Sequence, residues 1–171
     1  MTIVISKCNE VLNEIYKFSE NMLSLGGPIT DNRIEELEKQ IEFELPTDFR
    51  YIISKHNYLA LGGTEILPIG REFGNQSIES LYLFEHEEVG NPMLKALLPF
   101  SPDGGGNHYC LDLSNSINRI CPVVFWQHDY NYDNKDEVEI CNPSFYQWIK
   151  EVMIDWTLED TNYDGSPKRE T

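Results

Sequence analysis

The stretch LLPFSPDGGGNHYCLDL, residues 97–113, carries the clearest structural signal in this chain. Two apolar runs flank the glycine-rich segment PDGGGN, and in the second run alternate side chains are apolar. Alternation with a period of two is typical of a strand that has one face in a core. The stretch therefore predicts an antiparallel hairpin, with strands near Leu97–Ser101 and Asn107–Leu113 and a tight turn whose glycines take positive φ.

Upstream of the hairpin, the spacing of apolar residues changes from two to three and four. This spacing predicts helices over residues 8–25, from about Thr30, and from Pro46 to about Asn57. Pro46 suits a first helical turn because its missing N–H costs little there. Gly26-Gly27-Pro28 supplies the stop for the first helix.

Short apolar runs separated by Gly, Pro, Asn and Ser predict further strands near Glu65–Ile69, Ser80–Phe84 and Val123–His128. Asn142-Pro143 then reads as an N-cap followed by proline, which opens a closing helix. Helices, a mainly antiparallel sheet of about five strands and a closing helix predict one α+β domain over residues 1–160. Residues 161–171 are polar and are predicted to form a flexible tail.

The net charge of the chain limits the classes of partner that it can bind. There are 13 Lys and Arg against 29 Asp and Glu, which gives a formal net charge of -16. Such a chain repels phosphate backbones and anionic membranes, so we expect neither as a partner. The acidity either only keeps the protein soluble or attracts a basic partner.

Four cysteines, an apolar content of 40% and the absence of a long apolar run predict a cytoplasmic location. The cysteines are widely spaced and form no CxxC pair, which favours free thiols over a zinc site.

Chemical motifs are weak in this sequence. PDGGGN lacks the following helix and lysine of a phosphate loop, so a tight turn is the better interpretation. His108 and His128-Asp129 could hold a divalent metal if neighbouring strands brought them together, although each also suits an ordinary structural role. We therefore predict no catalytic residue, no metal and no cofactor, and keep a metal-dependent enzyme as an alternative.

Acidic residues concentrate in two segments. The first surrounds His86, and the second interleaves carboxylates with tyrosines, which are favoured at protein interfaces. Either segment could be a solvated loop, but carboxylates around tyrosines would also steer a basic partner. The candidate partner-binding residues are Glu85, Glu87, Glu88, Asp129, Tyr130, Tyr132, Asp133, Asp136 and Glu137.

The order of these motifs resembles the SMI1/KNR4 (SUKH) family. Residues 29–57 contain that family's Leu-Pro-x-Asp-aromatic motif at a helix start, the segment 97–114 resembles its central hairpin, and PVVFWQHD (122–129) its next strand. SFYQWI (144–149) resembles the closing helix. The chain departs from the family where Gly62-Gly63 is displaced from the Asn-Gly-Gly that often follows the third helix.

The resemblance implies helices packed on a mainly antiparallel sheet and a binding role instead of a reaction. Bacterial members of this size are similar to immunity proteins that neutralise polymorphic secreted toxins, many of them nucleases. Fungal members are regulatory interaction proteins with long disordered extensions, which this chain lacks. The resemblance therefore predicts an antitoxin for a basic cognate toxin domain, with an intracellular adaptor as the alternative; it leaves the oligomeric state open.

Overall fold

The computed structural model describes residues 2–169, which contain six α-helices and two antiparallel sheets. The helices are α1 Ile3–Ile15, α2 Asp31–Ile41, α3 Thr47–Lys55, α4 Ile78–Leu83, α5 Phe145–Trp148 and α6 Trp156–Asp160. A π-helical turn, Phe84–Glu88, extends α4, and a second, Ile149–Asp155, joins α5 to α6. The predicted α+β class is confirmed.

The seven strands form one sheet of three and one of four. The first has the order β1 Leu23–Leu25, β2 Leu59–Leu61 and β3 Thr64–Ile66. The second has the order β4 Leu97–Pro102, β5 His108–Asp112, β6 Val123–Trp126 and β7 Glu139–Asn142. Strands β4 and β5 are the hairpin predicted from the sequence, with Leu98 opposite Leu111.

A buried carboxylate joins the start of α3 to the start of the closing helix. Asp48 is fully buried, and its oxygens accept the N–H groups of Phe49 at 2.9 Å and Tyr146 at 3.1 Å. The first N–H groups of a helix have no partner within the helix, so this side chain satisfies donors in two helices at once. Burial raises the pKa of Asp48, and these backbone donors oppose that rise.

The main core lies between the helices and one face of the four-stranded sheet. Phe49, Phe100, Phe145 and Trp148 are fully buried there. The ring of Phe100 meets that of Phe145 edge to face at 5.2 Å and that of Trp148 at 4.8 Å. Aromatic rings prefer this geometry, which adds to the free energy gained by burying them.

Two predicted elements are wrong. The first helix ends at Ile15 instead of residue 25, and Leu23–Leu25 is a strand paired with β2. Residues 80–84 are not a strand but the end of α4 and the start of its π-helical turn. At residues 18–25 the apolar spacing is right for a buried face, but pairing with residues distant in sequence selects a strand. At residues 80–84 the apolar run does not mark a buried face, because Leu83 and Phe84 are exposed.

The displaced Gly62-Gly63 pair has a structural role. It forms the two-residue turn between β2 and β3, where Leu61 is opposite Thr64. Gly62 has a φ of 59°, a backbone conformation that residues with a Cβ rarely adopt. The departure from the family pattern therefore coincides with a hairpin turn.

Residues 161–168 fold back on the segment that follows α1. The ring centroid of Tyr163 lies 4.8 Å from that of Phe18, and its carbonyl accepts the N–H of Ser19 at 2.9 Å. The single domain and the flexible tail over residues 161–171 stay predictions. Residues 1, 170 and 171 lie outside the described range.

We predict that Asp48→Ala lowers the free energy of unfolding by about 2–6 kcal/mol, because two buried N–H donors lose their acceptor at about 1–3 kcal/mol each. Urea denaturation measures this change. Asp31→Ala is the control, because Asp31 is exposed in the first turn of α2 and should cost under about 1 kcal/mol. Equal losses in the two variants would contradict the bridging role of Asp48.

The contacts of Tyr163 predict that trypsin cuts after Lys168 more slowly in the wild type than in Tyr163→Ala, because the tail must first detach from Phe18. Mass spectrometry of a digestion time course gives the two rates. Equal, fast cleavage would instead support a tail that is flexible along its whole length.

Candidate partner-binding surface

The first acidic segment lies on the π-helical turn that extends α4. Helix α4 begins after Ser77, whose hydroxyl accepts the N–H of Ser80 at 3.1 Å. Along the turn, Glu87 and Glu88 are exposed, whereas Glu85 is buried. The turn therefore presents two of its three glutamates to solvent.

Glu85 makes an internal contact. One of its carboxylate oxygens lies 2.9 Å from Nε2 of His108 on β5, and both side chains are at least nine-tenths buried. A carboxylate held in this position cannot steer a partner, because steering requires an exposed charge. Of the candidate residues, Glu85 is the one that the structure removes from the surface.

The ring of His86 also turns inward, toward backbone carbonyl oxygens. Its ring nitrogens lie 2.7 Å from the carbonyl oxygen of Tyr82 and 3.1 Å from that of Leu94. Its ring centroid is 4.0 Å from that of Tyr82. His86 thus fixes the segment after the turn against α4.

The second acidic segment is the loop from residue 127 to residue 138. Tyr132 is partly buried, stacks on Trp126 at 4.6 Å, and accepts the N–H of Gln127 through its hydroxyl oxygen at 3.1 Å. The ring centroid of Tyr130 lies 4.6 Å from that of Tyr132, with the two rings tilted, but Tyr130 is 51% exposed. The loop therefore has one tyrosine that anchors it and one that faces solvent.

Asn91 ties the two acidic segments together. Its side-chain amide nitrogen donates to the carbonyl oxygens of His128 at 3.1 Å and Tyr130 at 2.9 Å. The two segments, which are about forty residues apart in sequence, are thus neighbours in space. We call the combined exposed set the acidic surface; it consists of Glu87, Glu88, Asp129, Tyr130, Asp133, Asp136 and Glu137.

Some carboxylates of this surface also stabilise the loop. Glu137 accepts the N–H of Asp133 at 2.9 Å, and Asn134 accepts the N–H of Asp136 at 2.9 Å. Lys135, the cation within the loop, donates to the hydroxyl of Ser114 at 3.1 Å. The loop is therefore held by its own side chains, and its negative charge remains exposed.

A small second core lies beneath the acidic surface. It fills the face of the four-stranded sheet that the helices leave open, and Trp126, 1% exposed, is its largest member. The other buried members of this core are Met93, Leu97, Cys110, Val124 and Val138. The acidic loops thus pack over the second core on this face of the sheet. This packing holds the acidic surface rigid.

Comparison with known proteins agrees with this architecture. Residues 8–154 match the family described as SMI1-KNR4 cell-wall. The chain belongs to the SMI1-KNR4 (SUKH) family. It is also 22% identical over 163 residues to the SPbeta prophage-derived uncharacterized protein YokK of Bacillus subtilis (strain 168), covering 80% of this chain and 81% of that protein.

The SUKH family is known for immunity proteins that are not enzymes. The two histidines considered as metal ligands have different environments. His108 is buried against Glu85, whereas His128 is exposed, with Nδ1 2.9 Å from Oδ1 of Asn107. Within residues 2–169, no group of three or more His, Cys, Asp and Glu side chains is arranged to hold a metal ion.

The PDGGGN segment is a closed turn. Asp103 accepts the N–H groups of Gly105 at 2.7 Å and Asn107 at 3.0 Å, and Gly104 and Gly106 have φ of 82° and 95°. A Cβ on Gly106 would lie 2.9 Å from the ring of His128. Two backbone N–H donors of the turn are therefore used by Asp103 itself.

The cysteines are free thiols that are poor nucleophiles. Burial raises the pKa of Cys8 to about 12 and that of Cys141 to about 11. Burial also raises the pKa of Cys110 and Cys121. Because the thiolate is the reactive form, none of the four is activated near neutral pH.

One concave feature was missed from the sequence. A cleft of about 960 Å³ lies between α2 and the segment from Gly70 to Leu83, with Arg33 and Glu72 paired across it at 2.5 Å. The sequence interpretation placed a strand where α4 forms one wall, so it could not predict this cleft.

We predict that Trp126→Ala lowers the free energy of unfolding by about 3–5 kcal/mol, because a large buried ring leaves a cavity beneath the acidic loops. Trp156→Ala is the matched control: Trp156 is 47% exposed and should cost under about 1 kcal/mol. Chemical denaturation measures both. A loss below about 1 kcal/mol for Trp126→Ala would contradict the second core.

Proposed function

We propose that this SUKH protein is an immunity protein that binds and neutralises a cognate polymorphic secreted toxin, with a nuclease domain as the leading candidate. The family commonly comprises immunity proteins. The observation that carries the proposal is the acidic surface, in which two neighbouring segments carry six exposed carboxylates and the exposed ring of Tyr130. Nucleic-acid enzymes need a basic footprint, and such a footprint is complementary to this surface.

The architecture of the surface suits tight binding. Asn91, Tyr132 and the Glu85–His108 contact hold its two segments in place before a partner arrives. A preorganised surface loses little conformational entropy on binding. Tyr130 supplies contact area, and the carboxylates around it supply attraction at a distance.

We infer that the protein acts by occupying its partner and not by modifying it. The free thiols support a cytoplasmic site of action, since thiols persist in a reducing compartment. No helix in the described part of the chain is both long and apolar enough to cross a bilayer.

The proposal predicts fast association with the toxin domain encoded beside this gene, and a rate that falls as salt increases. The Debye length shrinks from about 30 Å at 0.01 M to about 10 Å at 0.1 M, so steering weakens over that range. At low salt, combining Asp133→Asn, Asp136→Asn and Glu137→Gln should lower the association rate constant roughly tenfold. Stopped-flow fluorescence measures it.

Tyr130→Ala should act mainly on the dissociation rate, because it removes contact area and no charge.

The charge-matched control for the triple variant of the acidic surface combines Glu10→Gln, Glu20→Gln and Asp31→Asn, since these exposed carboxylates lie on or beside α1 and α2. An association rate constant that does not change with salt concentration, together with full growth rescue by every variant, would exclude the acidic surface as the binding site.

A further inference from the structure

Strand β7 is a free edge of the four-stranded sheet. It pairs with β6 on one side, and within residues 2–169 no strand pairs with its other side. The opposite edge strand, β4, is different, because the carbonyl of Phe100 accepts the N–H of Leu67 at 2.9 Å. A free edge offers backbone N–H and C=O groups with which a strand of another protein can pair.

Beside this edge lies an exposed apolar groove. Trp156 on α6 is 47% exposed and lines a groove of about 220 Å³, whereas Ile140 on β7 is 60% exposed and, opposite Val124, has its side chain on the other face of the strand. Tyr109, Phe125 and Val152 form more of its wall. Large apolar side chains grouped at a surface are typical of a contact site for another protein. The bulge between Ile140 and Asn142 keeps the regular edge short, which suits a short partner strand.

The charge around the groove has one sign. Glu139 and Glu151 line it, and no Lys or Arg is among its lining residues in the described chain. Burial raises the pKa of Cys141, which lines the groove, and the charges of Glu139 and Glu151 raise that pKa further. The groove thus combines an apolar floor with a negative field, which favours an apolar side chain flanked by basic ones.

The same charges decide between two occupants. A second copy of this chain would bring another formal net charge of -16 and another Glu139 to the edge, and like charges across paired strands are destabilising. A basic partner gains from the same field. The edge also continues the acidic surface, since β7 begins two residues after Glu137.

We propose that the basic partner adds a strand to the free edge of β7 and places an apolar side chain against Trp156. The inference rests on the proposed function, since the partner is the same toxin domain. Backbone pairing would supply affinity without depending on partner sequence, and the groove would select the side chain.

The test combines Ile140→Lys with hydrogen exchange of the complex between this chain and the neighbouring toxin domain. Complex formation should slow exchange of the amides in residues 139–142, and Ile140→Lys should raise the Kd roughly tenfold or more. Ile3→Lys is the matched control, because Ile3 is 81% exposed on α1 and the variant makes the same change in charge. Unchanged melting temperatures confirm that both variants fold.

The outcomes separate the two proposals. Tight binding with unprotected β7 amides and an unaffected Kd for Ile140→Lys overturns the edge pairing and leaves the proposed function standing. Absence of binding by the wild type overturns both. Sedimentation of the chain alone should show a monomer, and a dimer dispersed by Ile140→Lys would assign the edge to a second copy and overturn the proposal.

Discussion

The burial of one carboxylate between two helix starts is the constraint on which the rest of this fold depends. Asp48 accepts N–H groups from α3 and, 98 residues later, from α5, so the first and last parts of the chain meet at one charge. Both helix starts carry partial positive charge, which makes a buried carboxylate tolerable there. The aromatic cluster of Phe49, Phe145 and Trp148 packs beside this junction and fixes the closing helix on the sheet.

The four-stranded sheet then separates the main core from the proposed binding surface. Helices cover one face with a large core, whereas the acidic loops cover the other with the small core around Trp126. Substitutions on the exposed side of those loops leave the main core unchanged, so the proposed binding surface can vary at little cost to folding. The contact between Glu85 and His108 shows how this side is attached to the sheet. The sequence suggests an exposed position for Glu85, but its carboxylate joins the turn after α4 to β5.

Features that depend on neighbouring residues could be predicted from the sequence, and features that depend on distant ones could not. The start of α3 and the turn at 103–107 follow from the fixed φ of Pro46 and from glycine, both local properties. Phe18, Met22 and Leu25 continue a helical spacing, yet Leu25 pairs with Leu59 across a sheet. The inward direction of Glu85 depends on His108, which is 23 residues away. The acidic loop could be named as a candidate binding segment because a run of charges is itself a local signal.

The central claim is that this chain neutralises a toxin by occupying it. Titrating a fixed concentration of the neighbouring toxin domain with this protein, while measuring the residual activity of the toxin, tests that claim most directly. Occupancy predicts a linear loss of activity that ends at one equivalent and does not progress with time. Inactivation by much less than one equivalent, increasing with incubation, would show turnover and contradict the account, as would full toxin activity at saturating protein.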